Sequence, residues 1–170
     1  MILIPDSGST KCDWIAMNKD GVQMQEKIRT DGLNPAILSE KKLKKIISKS
    51  DELMALAADV KYIFFYGAGC GTEKPRLALK AILENIFPNA LVDVQEDTMA
   101  AVRACINHPD EAAVVCIMGT GSNCSYFDGD KLHQRVKSLG YSLMDEASGN
   151  YYGKQLIRDY YFNKMPETIK

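Results

Sequence analysis

Two glycine-rich turns constrain this chain more than any other feature. Asp6-Ser7-Gly8-Ser9-Thr10-Lys11 and Gly119-Thr120-Gly121-Ser122-Asn123 each end one apolar, strand-like run and open another. Glycine lets the backbone come close to an anion and turn with positive φ. Ser and Thr hydroxyls and free N–H groups donate to phosphate oxygens. One such loop is equally an ordinary hairpin connection. Two of them, in two halves of one chain, indicate a nucleotide held between two related lobes.

The pattern between the turns is α/β. Strands are expected over Met1–Pro5, Cys12–Asn18 and Val22–Thr30, with Asp20-Gly21 as a hairpin turn. Helical spacing of Ile37, Leu38, Leu43, Ile46 and Ile47 predicts a helix over Pro35–Ser48, its four lysines in solvent. A short helix over Asp51–Asp59, a buried strand over Val60–Tyr66 and a helix over Glu73–Ile86 follow, the last with Leu77, Ile82 and Leu83 inward. Ala90–Gln95 reads as a strand and Asp97–Asn107 as a helix. The strand pattern then restarts at Ala112–Met118, Cys124–Phe127 and Lys131–Ser138, before a helix over Met144–Asn163. The polar turn His108-Pro109-Asp110 is the expected boundary, giving domains 1–109 and 110–170. The second set holds fewer elements than the first, so internal symmetry predicts further strands and helices beyond Lys170.

Composition narrows the partners. With 21 basic and 22 acidic residues the net charge is −1, which gives no basis for bulk binding to nucleic acid or an anionic membrane. Five cysteines, odd in number and without a C-x-x-C pair, fit free thiols in a reducing cytoplasm. Cys116, inside an apolar strand, is expected in the core.

Several polar residues carry two readings. A carboxylate beside phosphate donors repels unless a cation lies between, and Asp6 as a Mg²⁺ ligand resolves this. Lys11 can touch a phosphate as a point charge. Asp97, at the carboxyl end of a strand where ligands gather, can take a proton from a hydroxyl or cap a helix. Asp145 and Glu146 are expected in the first turn of the last helix, where they complement its dipole. Asp145 can also bind sugar hydroxyls. Asn34 is either a cap or an amide contact to a ligand.

Taken together, Asp6-Ser7-Gly8-Ser9-Thr10-Lys11, Asn34, Glu96-Asp97, Gly119-Thr120-Gly121-Ser122-Asn123-Cys124 and Asp145-Glu146-Ala147-Ser148 resemble the BadF/BadG/BcrA/BcrD ATPase family. That family lies in the actin-like ATPase superfamily with sugar kinases, and the resemblance is strongest to its N-acetylglucosamine kinase-like members. It implies an α/β, ribonuclease-H-like fold with a three-stranded antiparallel start to a mixed sheet, repeated in a second domain that continues past residue 170. It implies Mg²⁺ and ATP between two lobes, with Asp6 at the metal and Ser7, Gly8, Ser9, Thr10, Lys11, Gly119, Thr120, Gly121 and Ser122 at the phosphates. Asp97 is then the general base on a sugar hydroxyl. Asn34, Asn123 and Asp145 hold an amino sugar, and the full-length protein is a homodimer. Two departures stand out. Ser7 occupies a position where the family has glycine, and Met144 and Ala147 replace the glycines of a Gly-Asp-Glu-Gly-Ser motif. An ATPase activator of a reductive dehydratase system and a non-catalytic sugar or nucleotide sensor are the alternatives. The activator reading lacks its usual Gly-Gly-Gln-Asp loop and an evident cysteine spacing for an iron–sulfur cluster.

Overall fold

The computed structural model describes residues 1–134, 139–140 and 142–169. The chain divides into two compact units, Met1–Ala100 and Ala101–Lys170.

The first unit is a five-stranded mixed sheet of order β3-β2-β1-β4-β5. β1 (Ile2–Ser7), β2 (Lys11–Met17) and β3 (Ile28–Asp31) run antiparallel, while β4 (Tyr62–Gly67) and β5 (Leu91–Glu96) add in parallel to β1. Alternation along the strands sends Leu3, Cys12, Trp14, Ala16, Ile63, Phe65, Val92 and Val94 to a buried face. The helices that cover it are α1 (Glu40–Ser48), with Leu43 and Ile47 inward, and α3 (Glu73–Ile86), with Leu79, Ile82 and Leu83 inward. Between them lies the short α2 (Asp51–Leu56), capped by the Ser50 side chain, which accepts from Leu53 N–H. Trp14 anchors this core, its ring 6.5 Å from Phe65 and 6.3 Å from Phe87, and its Nε1 donating to Thr30 Oγ1 at 3.0 Å. A buried indole thus keeps its polar atom satisfied.

α4 (Asp97–Cys105) follows β5. The second unit holds a three-stranded antiparallel sheet, β6 (Ala113–Met118), β7 (Ser122–Phe127) and β8 (Leu132–His133), then α5 (Gly149–Tyr161) and a 3-10 turn at Glu167–Ile169. Among the described residues no helix is long and apolar enough to cross a membrane.

Several sequence expectations shift. The strand expected over Val22–Thr30 shortens to Ile28–Asp31, because the segment before it makes only one bridge, Met17 to Gln23, and is exposed. The helix expected from Pro35 begins at Glu40, since Asn34 binds the Ala36, Ile37 and Leu38 amides in a turn. Leu77 points to solvent and Leu79 takes the inward position. Cys116 is exposed rather than in the core. The last helix begins after Ser148, not at Met144, so Asp145 and Glu146 precede its first turn. Of the strand expected over Lys131–Ser138, residues 135–138 lie outside the described residues.

Candidate functional site

β1, β3, β4 and β5 all run in the same sense. Their carboxyl ends therefore open on one edge of the first unit, and four connections gather there: Gly8–Thr10, Gly32–Asn34, Ala68–Gly71 and Glu96–Asp97. That edge is where open α/β sheets bind ligands.

Buried contacts fix these loops to one another. Ser7 is fully buried; its hydroxyl accepts from Leu33 N–H at 2.8 Å and donates to Gly8 O at 3.1 Å. Asn34 is almost buried, donating from Nδ2 to Ser9 Oγ at 3.2 Å and accepting at Oδ1 from Ala36 N–H at 3.0 Å. The Gly8–Ser9 backbone passes so close to Gly32 that a Cβ there would sit 2.6 Å from the Ser9 carbonyl carbon. At Gly69, φ is +81° and a Cβ would overlap the Asn34 amide. Only glycine meets both demands. Gly32 and Gly69 escape a reading based on residue types, because what requires them is a neighbour distant in sequence. Their place in polar turns is the available signal.

The exposed groups on this edge are the reactive ones. Asp6 is exposed beside the first glycine loop. Gly8, Ser9 and Thr10 are exposed, and a Cβ on Gly8 would meet the Lys11 carbonyl oxygen at 3.8 Å, an ordinary contact. Lys11 lies 3.8 Å from Asp13, which is held more closely by Arg29 at 2.6 Å and Lys27 at 3.1 Å. Asp97 is exposed as the first residue of α4, its Oδ1 accepting from Thr98 N–H at 3.0 Å. An N-cap would instead accept from an amide two or three residues on. Thr98 Oγ1 is buried without a hydrogen-bond partner among the described residues. Cys70, buried on the same edge, has its thiol pushed up to about 12, first by burial and then by Asp97.

The second unit brings its own set together. The Gly119–Gly121 loop is closed by Gly119 N–H to Gly121 O at 2.9 Å and tied to the start of α5 by Gly149 N–H to Gly119 O at 2.8 Å and Asn150 N–H to Thr120 O at 3.2 Å. Among the described residues nothing stands within 4 Å of the place a Cβ would take on Gly119. On Gly121 a Cβ would meet Asp145 Oδ2 at 2.8 Å, which puts that carboxylate against the loop. Asp145 and Ala147 have φ of 70° and 60°. The departure from glycine at position 147 thus places an alanine in left-handed backbone. Ser148 then caps α5, accepting from Tyr151 N–H at 3.1 Å. Asn123, Ser122, Asp145 and Glu146 line one cavity of about 490 Å³.

A family model for the BadF/BadG/BcrA/BcrD ATPases matches residues 6–159. The chain belongs to this family. Among solved structures, a Porphyromonas gingivalis protein assigned as an N-acetylglucosamine kinase is 36% identical, with a TM-score of 0.78 over 98% of this chain and 58% of that one. This chain therefore spans little more than half of that relative. The ethanolamine utilization protein EutJ of Carboxydothermus hydrogenoformans (12% identity, TM-score 0.50, 96% of this chain and 57% of that one) shares the fold. So does the inorganic polyphosphate/ATP-glucomannokinase of an Arthrobacter strain (17%, 0.51, 91% and 72%). These place the chain in the actin-like ATPase and sugar kinase fold. A search of curated proteins gave no match.

Proposed function

We propose that the chain belongs to an ATP-dependent sugar kinase that phosphorylates a hydroxyl of an amino sugar such as N-acetylglucosamine. The observation that carries this reading is the edge of the first unit, where the exposed Asp97 carboxylate shares a set of interlocked loops with Asn34 and the exposed Gly8–Thr10 turn. A carboxylate, a fixed amide and an exposed turn of glycine and hydroxyl residues are groups that sugar phosphorylation uses. Family membership and the P. gingivalis relative support the same reading.

The chemistry follows from those groups. The sugar hydroxyl gives its proton to Asp97 as its oxygen attacks the γ-phosphorus of ATP, and ADP leaves with the bridging electron pair. Asn34, whose amide is braced by Ser9 and Ala36, orients the sugar, and orientation lowers the barrier by removing motion that the free reactants retain. Gly8, Ser9 and Thr10 donate to phosphate oxygens, with Lys11 able to leave its outlying place beside Asp13. Ser7, whose hydroxyl is spent on Leu33 and Gly8, braces that loop from below. In the second unit Gly119, Thr120, Gly121 and Ser122 supply a further phosphate loop, and Asn123 and Asp145 a further polar set for the sugar. Asp6, exposed and beside the loop, fits Mg²⁺, which binds proteins through one or two carboxylates. When bound, Mg²⁺ neutralises phosphate charge. A cytoplasmic homodimer is the form proposed for the whole protein. Mass spectrometry of the products after incubation with Mg-ATP and N-acetylglucosamine tests the reading: a sugar monophosphate is expected, and unchanged sugar contradicts it.

A further inference from the structure

Cys116 on β6 and Cys124 on β7 are direct register partners with their Sγ atoms 2.9 Å apart. Both are exposed, free thiols. The Gly119 N–H bond to Gly121 O marks 119/121 as a hydrogen-bonded pair. Alternation along an antiparallel ladder then makes 117/123 the next bonded pair and 116/124 a non-bonded one. Non-bonded pairs bring Cα atoms to about 4.5 Å, with side chains closer together, inside the span of about 4.4–6.8 Å that a disulfide bridges. A zinc ion between two thiolates, with Zn–S of about 2.3 Å, would hold the sulfurs about 3.8 Å apart. The observed contact is shorter, which favours a direct bond over a shared metal. The pair opens onto the same cavity as Met118, Ser122, Tyr126 and Asp145, so a small reagent can reach it.

We propose that Cys116 and Cys124 are a redox-modification site: a dithiol that a low-molecular-weight disulfide converts into a cross-strand disulfide at the neck of the Gly119–Gly121 loop. One cysteine, as thiolate, attacks a sulfur of the small disulfide RSSR. The S–S bond breaks, RS⁻ leaves, and a mixed disulfide forms. The second cysteine loses its proton and attacks the protein-side sulfur of that mixed disulfide, expelling the second RS⁻. The two released thiolates take up the two protons. The protein dithiol is oxidised by two electrons and RSSR is reduced to two RSH. The new bond fixes the two strands that carry the glycine loop, and a reducing thiol reverses it.

The other cysteines provide internal controls. Cys12 and Cys70 are buried and their thiols are pushed up to about 12, chiefly by burial, so they stay protonated and shielded. Cys105 is exposed on α4 and reports general reactivity.

The test is treatment of the folded protein with oxidised glutathione, an acid quench, alkylation and tryptic mass spectrometry. Cys105, Cys116 and Cys124 fall in one tryptic peptide. That peptide is expected two hydrogens lighter, with its single modified cysteine at position 105, and dithiothreitol is expected to restore it. Cys105→Ser should keep the cross-link; Cys116→Ser should abolish it and leave Cys124 carrying glutathione. Separate glutathione adducts on Cys116 and Cys124, unreacted thiols at both, or a link through Cys105 would each overturn the proposal.

Discussion

Asn34 Nδ2 donates to Ser9 Oγ at 3.2 Å, joining two loops that lie 25 positions apart in sequence. The bond holds the amide proposed for the sugar against the loop proposed for phosphate. Gly69 closes the arrangement from the other side, since any side chain there would overlap the Asn34 amide.

Gly69→Ala therefore tests the interlock. The residue has φ of +81°, so alanine is strained and must also push Asn34 aside. The substitution is expected to destabilise the protein by about 2 kcal/mol, read as a lower urea midpoint, and to raise the KM for sugar. A variant with wild-type midpoint and KM would show that Asn34 is not held in this way.

Asp97→Asn keeps the size of the side chain and removes its basicity. Loss of a general base lowers turnover by about 10²- to 10⁴-fold, while binding of ATP should change little. Steady-state kinetics beside nucleotide titration calorimetry separates the two. Undiminished turnover would remove Asp97 from the proton-transfer role.

Asp13 gives a pH signature of the fold. The Arg29 guanidinium, then Lys27, hold its carboxyl well below its ordinary value of 3.8. A lowered folded value means that the stabilisation is fully present above the ordinary value and is lost as pH falls below it. Asp13→Asn should be less stable than wild type at pH 7, with the gap closing below about pH 4. Thermal unfolding across that range checks it, and a gap independent of pH would contradict the assignment.

Ala147 sits at φ of 60°, in a region where a Cβ crowds the carbonyl. Ala147→Gly is expected to stabilise the protein by about 1 kcal/mol, visible as a higher urea midpoint. A lower midpoint would mean that this backbone is not strained.

The elements that the sequence revealed best are those governed by local periodicity. The helix expected over Glu73–Ile86 has those bounds in the structure, because Leu79, Ile82 and Leu83 recur at helical spacing above a buried sheet face. The strand pattern also located both glycine loops. Long-range geometry was less legible. Pro35 is a plausible helix start until Asn34 is seen to take the following amides into a turn. Asp145 and Glu146 read as helix-dipole partners, yet two left-handed residues turn the chain before Ser148 caps α5. Cys116 reads as core, but on β6 only Val115 is buried and the face bearing Cys116 stays open. The roles of Gly32 and Gly69 depend on partners across the fold, which no local pattern encodes.

Phosphoryl transfer to an amino sugar is the activity proposed for the whole protein. Its most direct test is coupled ADP release from Mg-ATP by the complete gene product, across a panel of amino sugars and plain hexoses. Release that requires N-acetylglucosamine or a related amino sugar is the predicted result. Release that is indifferent to sugar, or no release with any of them, would contradict it.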